Sequence, residues 1–125
     1  MKKAEEKIQL AISKYLQVQY PNVIFTSEAS GGKKTIGQAM LAKRLRSGNG
    51  LPDLIILEAR QQFHGLMLEL KQDGYRLRKK DGTFVSEHIQ EQNQVLQRLR
   101  SKGYFAEFAI GFEQAKQFID RYMQL

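Results

Sequence analysis

Two apolar runs joined by a short polar turn constrain this chain more than any other feature. Residues 53–57 read Asp-Leu-Ile-Ile-Leu and residues 66–71 read Leu-Met-Leu-Glu-Leu-Lys, with a polar, glycine-containing link from Ala59 to Gly65. Two such runs with so short a connection predict a β-hairpin. Side chains alternate along a strand, so Glu69 and Lys71 share one face and Leu70 points to the other. Asp53 opens one strand at the level where Glu69 and Lys71 close its antiparallel partner. The hairpin therefore gathers two carboxylates and one amine at one end of a sheet. Two oxygen ligands can hold Mg²⁺, which keeps several waters. A lysine beside them can orient or activate a water as a nucleophile.

The flanking sequence supplies the other layers. Ile8, Ala11, Ile12, Tyr15 and Leu16 recur at helical spacing, predicting an amphipathic helix near 4–18 that Tyr20-Pro21-Asn22 stops. A short β-prone run, 23–26, and a glycine-lysine loop, 30–34, follow. Residues 36–46 read as a helix bearing Lys43, Arg44 and Arg46, ended by Ser47-Gly48-Asn49-Gly50. After the hairpin comes a basic, glycine-flanked connection. Ser86 then caps a helix marked by Ile89, Gln92, Leu96 and Leu99 and ending at Lys102-Gly103. A strand at 104–110 and a helix at 112–123 complete the chain. The order αβαββαβα predicts an α/β fold, a central mixed sheet flanked by helices. With 125 residues and no linker, repeat or low-complexity segment, residues 1–125 are expected to form one domain.

Composition narrows the partner. No apolar run approaches the roughly 20 residues of a membrane span, and the N-terminus lacks the apolar block of a signal peptide. The absence of cysteine excludes disulfides and thiolate zinc sites and fits a reducing cytoplasm. A net charge of +7 points to a polyanion. The cations cluster. Lys33, Lys34, Lys43, Arg44 and Arg46 occur with no acid between Ala29 and Pro52, and Arg76, Arg78, Lys79 and Lys80 follow the second hairpin strand. Either group serves as a solvated face or as phosphate contacts, which position a duplex without reading bases. His64 and His88 are expected to be exposed and are not assigned to a metal.

Gly50-Leu51-Pro52-Asp53 before an apolar strand and Glu69-Leu70-Lys71 on the next resemble the PD-(D/E)xK nuclease signature. A Glu in the first helix (Glu5), a Gln in the helix after the hairpin (Gln92) and Gly103-Tyr104 before a late strand narrow the resemblance to the virus-type replication-repair nuclease family, VRR-NUC, of the free-standing phage and prophage type. The likeness runs over nearly the whole chain. It implies a restriction-endonuclease-like core and a Mg²⁺- or Mn²⁺-dependent endodeoxyribonuclease with no organic cofactor. Asp53 and Glu69 would bind the metal with the Leu70 carbonyl. Lys71 would orient the attacking water or steady the developing charge. Gln92 would hydrogen-bond that water or Lys71. Glu5 shares the inward face of the first helix with Ile8 and would stand behind the metal, supported by Gln9. Glu6, one residue on and expected to face elsewhere, is its competitor. Small members resemble Holliday-junction resolvases, implying branched DNA as substrate, a cytoplasmic setting and a homodimer, since symmetric cleavage needs two sites about a twofold axis. The last helix or Ile36, Met40 and Leu41 would supply the interface. The same residues also suit cleavage of flaps or duplex DNA, in repair or restriction, an RNA target, a non-catalytic nucleic-acid-binding module, or a plain surface salt bridge at the strand ends.

Overall fold

The computed structural model describes residues 2–28, 35–48 and 50–125. Lys33, Lys34 and Asn49 lie outside the described residues. Eight elements follow in the expected order: α1 (Lys2–Gln19), β1 (Phe25–Ser27), α2 (Ile36–Arg44), β2 (Leu54–Ile56), β3 (Leu66–Lys71), α3 (Glu87–Ser101), β4 (Phe105–Ile110) and α4 (Gly111–Met123). The four strands form one sheet in the order β1-β2-β3-β4. β1, β2 and β3 are antiparallel neighbours, and β4 runs parallel to β3. A parallel pair needs a long crossover, and here α3 provides it.

The sheet divides the core by residue parity. Leu54, Ile56, Leu66, Leu68 and Leu70 face one layer with Ile8, Ile12 and Leu16 of α1 and Ala115, Ile119 and Tyr122 of α4. Ile55 and Met67 face the other, under Ile89, Leu96 and Leu99 of α3. Polar anchors tie the first layer together. Asp120 of α4 accepts hydrogen bonds from the Tyr15 hydroxyl at 2.5 Å and the Tyr20 hydroxyl at 2.7 Å, and Tyr122 donates to the Glu58 carbonyl at 2.6 Å.

α2 departs from this pattern. Thr35 and Gln38 close a capping box at its start, yet none of its residues is buried. Ile36, Met40, Leu41 and Leu45 are all more than half exposed. The last helix is no counterpart, because its apolar stripe, Ala115, Ile119, Tyr122 and Met123, is spent on the core. The three residues considered from sequence for an interface on α2, Ile36, Met40 and Leu41, are exposed.

The junction of β4 and α4 is made in one residue. Gly111 sits at φ +85°, and a Cβ there would collide with the Asp73 carboxylate in the turn after β3. Gly111→Ala should therefore destabilise the protein by about 2–4 kcal/mol, from left-handed backbone strain plus the clash. Urea unfolding would measure it. Adding Asp73→Ala should recover the steric part and leave the backbone part. Full stability of the single variant would refute this account.

Candidate active site

Pro52 carries no N–H and the β2 ladder stops at Leu54. Asp53 takes over at this end of the sheet. Its carbonyl accepts from the Glu28 N–H at 2.8 Å, and its carboxylate Oδ2 accepts from the Leu70 N–H at 2.9 Å. Leu54 pairs with Leu68, so the next level across the ladder holds Asp53 and Glu69. Both share the α3 face with Ile55 and Met67, and Lys71 follows two residues on.

The site is unusually dry for charged groups. Glu69 and Lys71 are only 7% and 6% exposed and are the buried charged residues of the core. α3 covers them with Gln92, which falls three residues after buried Ile89 and four before buried Leu96. The Gln92 amide oxygen Oε1 is buried with no hydrogen-bond partner among the described residues. A buried acceptor without a donor is costly. The Lys71 ammonium lies 5.4 Å from the centroid of the Tyr75 ring.

The electrostatics follow from this crowding. The Glu69 carboxyl is pushed up to about 9, first by burial, then by the Asp53 charge and a hydrogen bond with the Asp53 carboxyl, with Lys71 opposing. Glu5 is also raised, mainly by burial, with Lys71 lowering and Asp53 raising it. Two neighbouring carboxylates in a poorly solvated place repel, and one holds a proton.

These side chains line one cleft of about 380 Å³. Acids Glu5, Glu6, Glu28, Asp53 and Glu69 meet Arg46, Lys71, His88 and Gln92 on its walls. Among the described residues no three His, Cys, Asp or Glu side chains form a ready metal cage. A divalent cation would instead rest on Asp53 and Glu69, with backbone oxygen and water completing its sphere, as suits Mg²⁺. The residues fit such an ion. It would relieve the repulsion that keeps Glu69 protonated, and a hydrated ion would bring water to the orphaned Gln92 oxygen.

No protein-family model matches the sequence, and no curated protein does. A solved structure matches over nearly its full extent. It is a VRR_NUC domain protein, 25% identical, with a TM-score of 0.70 over 98% of this chain and 89% of that one. The chain carries a VRR-NUC domain.

Several sequence-based expectations meet in the cleft of this VRR-NUC domain. Glu5, Asp53, Glu69, Lys71 and Gln92, drawn from α1, the β2 and β3 ends and α3, all line it. The Leu70 backbone adjoins it through its bond to Asp53, while the Leu70 side chain is buried in the opposite layer. Glu6 does not face elsewhere. It lines the cleft beside Glu5, because the first turns of α1 stand at the rim where both reach it. Gln9 does not support Glu5. Its amide donates instead to the Glu28 carbonyl at 2.6 Å and the Ser27 hydroxyl at 3.3 Å.

The basic residues separate into three groups. Arg46 lines the cleft, whereas Lys43 and Arg44 are exposed on α2. Arg76, Lys79 and Lys80 are exposed on a two-stranded ribbon, closed by Lys79 N–H to Thr83 carbonyl at 2.7 Å and Val85 N–H to Leu77 carbonyl at 2.8 Å. Arg78 is committed within the ribbon. It donates to the Gly82 carbonyl at 2.6 Å and stacks 4.0 Å over Phe84. Sequence reading passed over His88 and Glu28 as wall residues. His88 precedes Gln92 by four residues, one turn on the same helix face, and that spacing was the available signal.

Proposed function

We propose that this VRR-NUC domain is a metal-dependent, structure-specific DNA endonuclease acting on four-way junctions. The observation that carries the reading is the gathering of half-buried Asp53 with buried Glu69 and Lys71 in one cleft, an arrangement that opposes stability and is accounted for by chemistry. Residues irrelevant to function have no reason to crowd two carboxylates where desolvation penalises their charge.

In this reading Asp53, Glu69 and the Leu70 carbonyl hold Mg²⁺ or Mn²⁺. The bound ion supplies a lowered water pKa and neutralisation of the scissile phosphate. Lys71 orients the attacking water and steadies the charge that develops on phosphorus. Gln92 presents its free oxygen to that water. Glu5 stands behind the site as a further acceptor, and Glu6 is placed to share that task. Arg46 and the exposed Lys43, Arg44, Arg76, Lys79 and Lys80 grip phosphates, which fixes register without reading sequence. No helix among the described residues is long and apolar enough to cross a membrane. Two copies joined about a twofold axis through the exposed apolar side of α2 would present two cleavage sites to one junction.

The test is a substrate panel. Four-way junction, flap and linear duplex are incubated with the protein, with and without Mg²⁺, beside gel filtration. Junction-selective, Mg²⁺-dependent nicking by a dimer is expected. Equal cleavage of junction and linear duplex would discard junction selectivity and keep the nuclease. No cleavage in any divalent metal would discard the nuclease.

A further inference from the structure

The turn that leaves β3 brings an aromatic ring back against the buried lysine. The Tyr75 N–H donates to the Gln72 carbonyl at 3.1 Å, closing a β-turn over 72–75. Gly74, its third residue, has φ +74°, the position where a type II turn requires positive φ. The reversal swings Tyr75 back over β3. Its half-buried ring joins the cluster beneath α3, together with Leu77, Phe84 and Val85 of the basic ribbon. The Lys71 ammonium then lies 5.4 Å from the ring centroid, within the range where a ring face attracts a cation.

Lys71 needs such a seat. A long, flexible side chain only 6% exposed loses rotamer freedom and hydration. We propose that Tyr75 is a positioning residue that holds the Lys71 ammonium at the cleft, and that it does so through its ring face, without its hydroxyl. The ring stands at the root of the ribbon that carries Arg76, Lys79 and Lys80, so the element that meets DNA phosphates also seats the lysine that meets the reacting one. The catalytic part of this inference rests on the nuclease reading, whereas the seating of Lys71 stands without it.

Two measurements test it. In the first, protein labelled with ¹³C at lysine Cε is compared by NMR as wild type, Tyr75→Phe and Tyr75→Leu, with the Lys71 signal assigned by its loss in Lys71→Met. A ring-current upfield shift of the Lys71 ε-protons is expected in wild type and Tyr75→Phe, returning toward the ordinary lysine position in Tyr75→Leu. An unshifted wild-type signal overturns the proposal. In the second, single-turnover cleavage at saturating DNA is measured with Mg²⁺. Tyr75→Phe should stay within about 2-fold of wild type and Tyr75→Leu should fall about 10-fold, a loss in the range of one cation–π contact. DNA affinity should be unchanged. In a Lys71→Met background Tyr75→Leu should add nothing, because the pair acts as a unit. Full cleavage by Tyr75→Leu, or the same 10-fold loss without Lys71, would overturn the positioning role. If Lys71→Met cleaves as well as wild type, the nuclease assignment of Lys71 fails, and the NMR shift still decides the seating.

Discussion

Asp53→Asn should lower the DNA cleavage rate by about 10³-fold or more while leaving the domain folded. A catalytic cation is worth several kcal/mol to the transition state, and each 1.36 kcal/mol is a factor of ten. In the proposed reading Asp53 and Glu69 are the carboxylates that hold it, so removing the Asp53 charge should abolish tight metal binding. The fold should persist because an asparagine oxygen can still accept the Leu70 N–H that Asp53 now accepts at 2.9 Å. The variant carries a second, opposite signature. The Asp53 charge helps push Glu69 upward, so its loss should make the metal-free protein more stable at pH 8. Such a gain at the expense of activity is the expected exchange at a strained site. Single-turnover cleavage with Mg²⁺, far-UV circular dichroism and urea unfolding measure the three quantities. Cleavage close to wild type would remove Asp53 from the metal.

The pH dependence of stability should be large and should point to Glu69. Its carboxyl lies at about 9 in the folded protein against 4.5 as the ordinary value, with burial as the first cause and Asp53 as the second. Between those values the folded state binds a proton that the unfolded state has released, so stability falls as pH rises. The contribution is fully present below about pH 4.5 and is lost as pH climbs through 9. Glu5, also raised by burial, works in the same direction. Asp120 works in the opposite one. It is desolvated, yet hydrogen bonds from Tyr15 and Tyr20 hold it below 3.8, so its contribution is lost only as pH falls through that lower value. Metal-free protein should therefore lose several kcal/mol between pH 6 and pH 9 in urea titrations, and Glu69→Gln should flatten most of that slope. Mg²⁺ should restore stability at the alkaline end, because binding displaces the Glu69 proton and tightens with pH. An unchanged slope in Glu69→Gln would show that another group carries it.

The hairpin was legible because strand periodicity is short and unforgiving. A one-residue slip would turn every side chain of β3 over, so the run 66–71 by itself assigned Glu69 and Lys71 to one face. The Ser86 cap was legible too, and its hydroxyl does accept from the Ile89 N–H at 3.2 Å. Depth was not legible. Alternation gives the face of a residue but not what covers it, and charged strand ends are usually solvated. The exposure of α2 was legible only as one of two options, because Ile36, Met40 and Leu41 were read as interface residues alongside the last helix, and periodicity does not say which apolar stripe the core takes.

Local chemistry along the chain determined the element order, the pairing of the two central strands and the choice of face for Asp53, Glu69 and Lys71, since each depends on near neighbours and backbone periodicity. Tertiary structure alone decided that α3 would close over that face and leave the Gln92 oxygen without a partner among the described residues. It decided that both Glu5 and Glu6 reach the cleft, and that a turn returns Tyr75 to within 5.4 Å of Lys71. Those outcomes rest on desolvation and on contacts between residues distant in the chain, which no periodicity encodes.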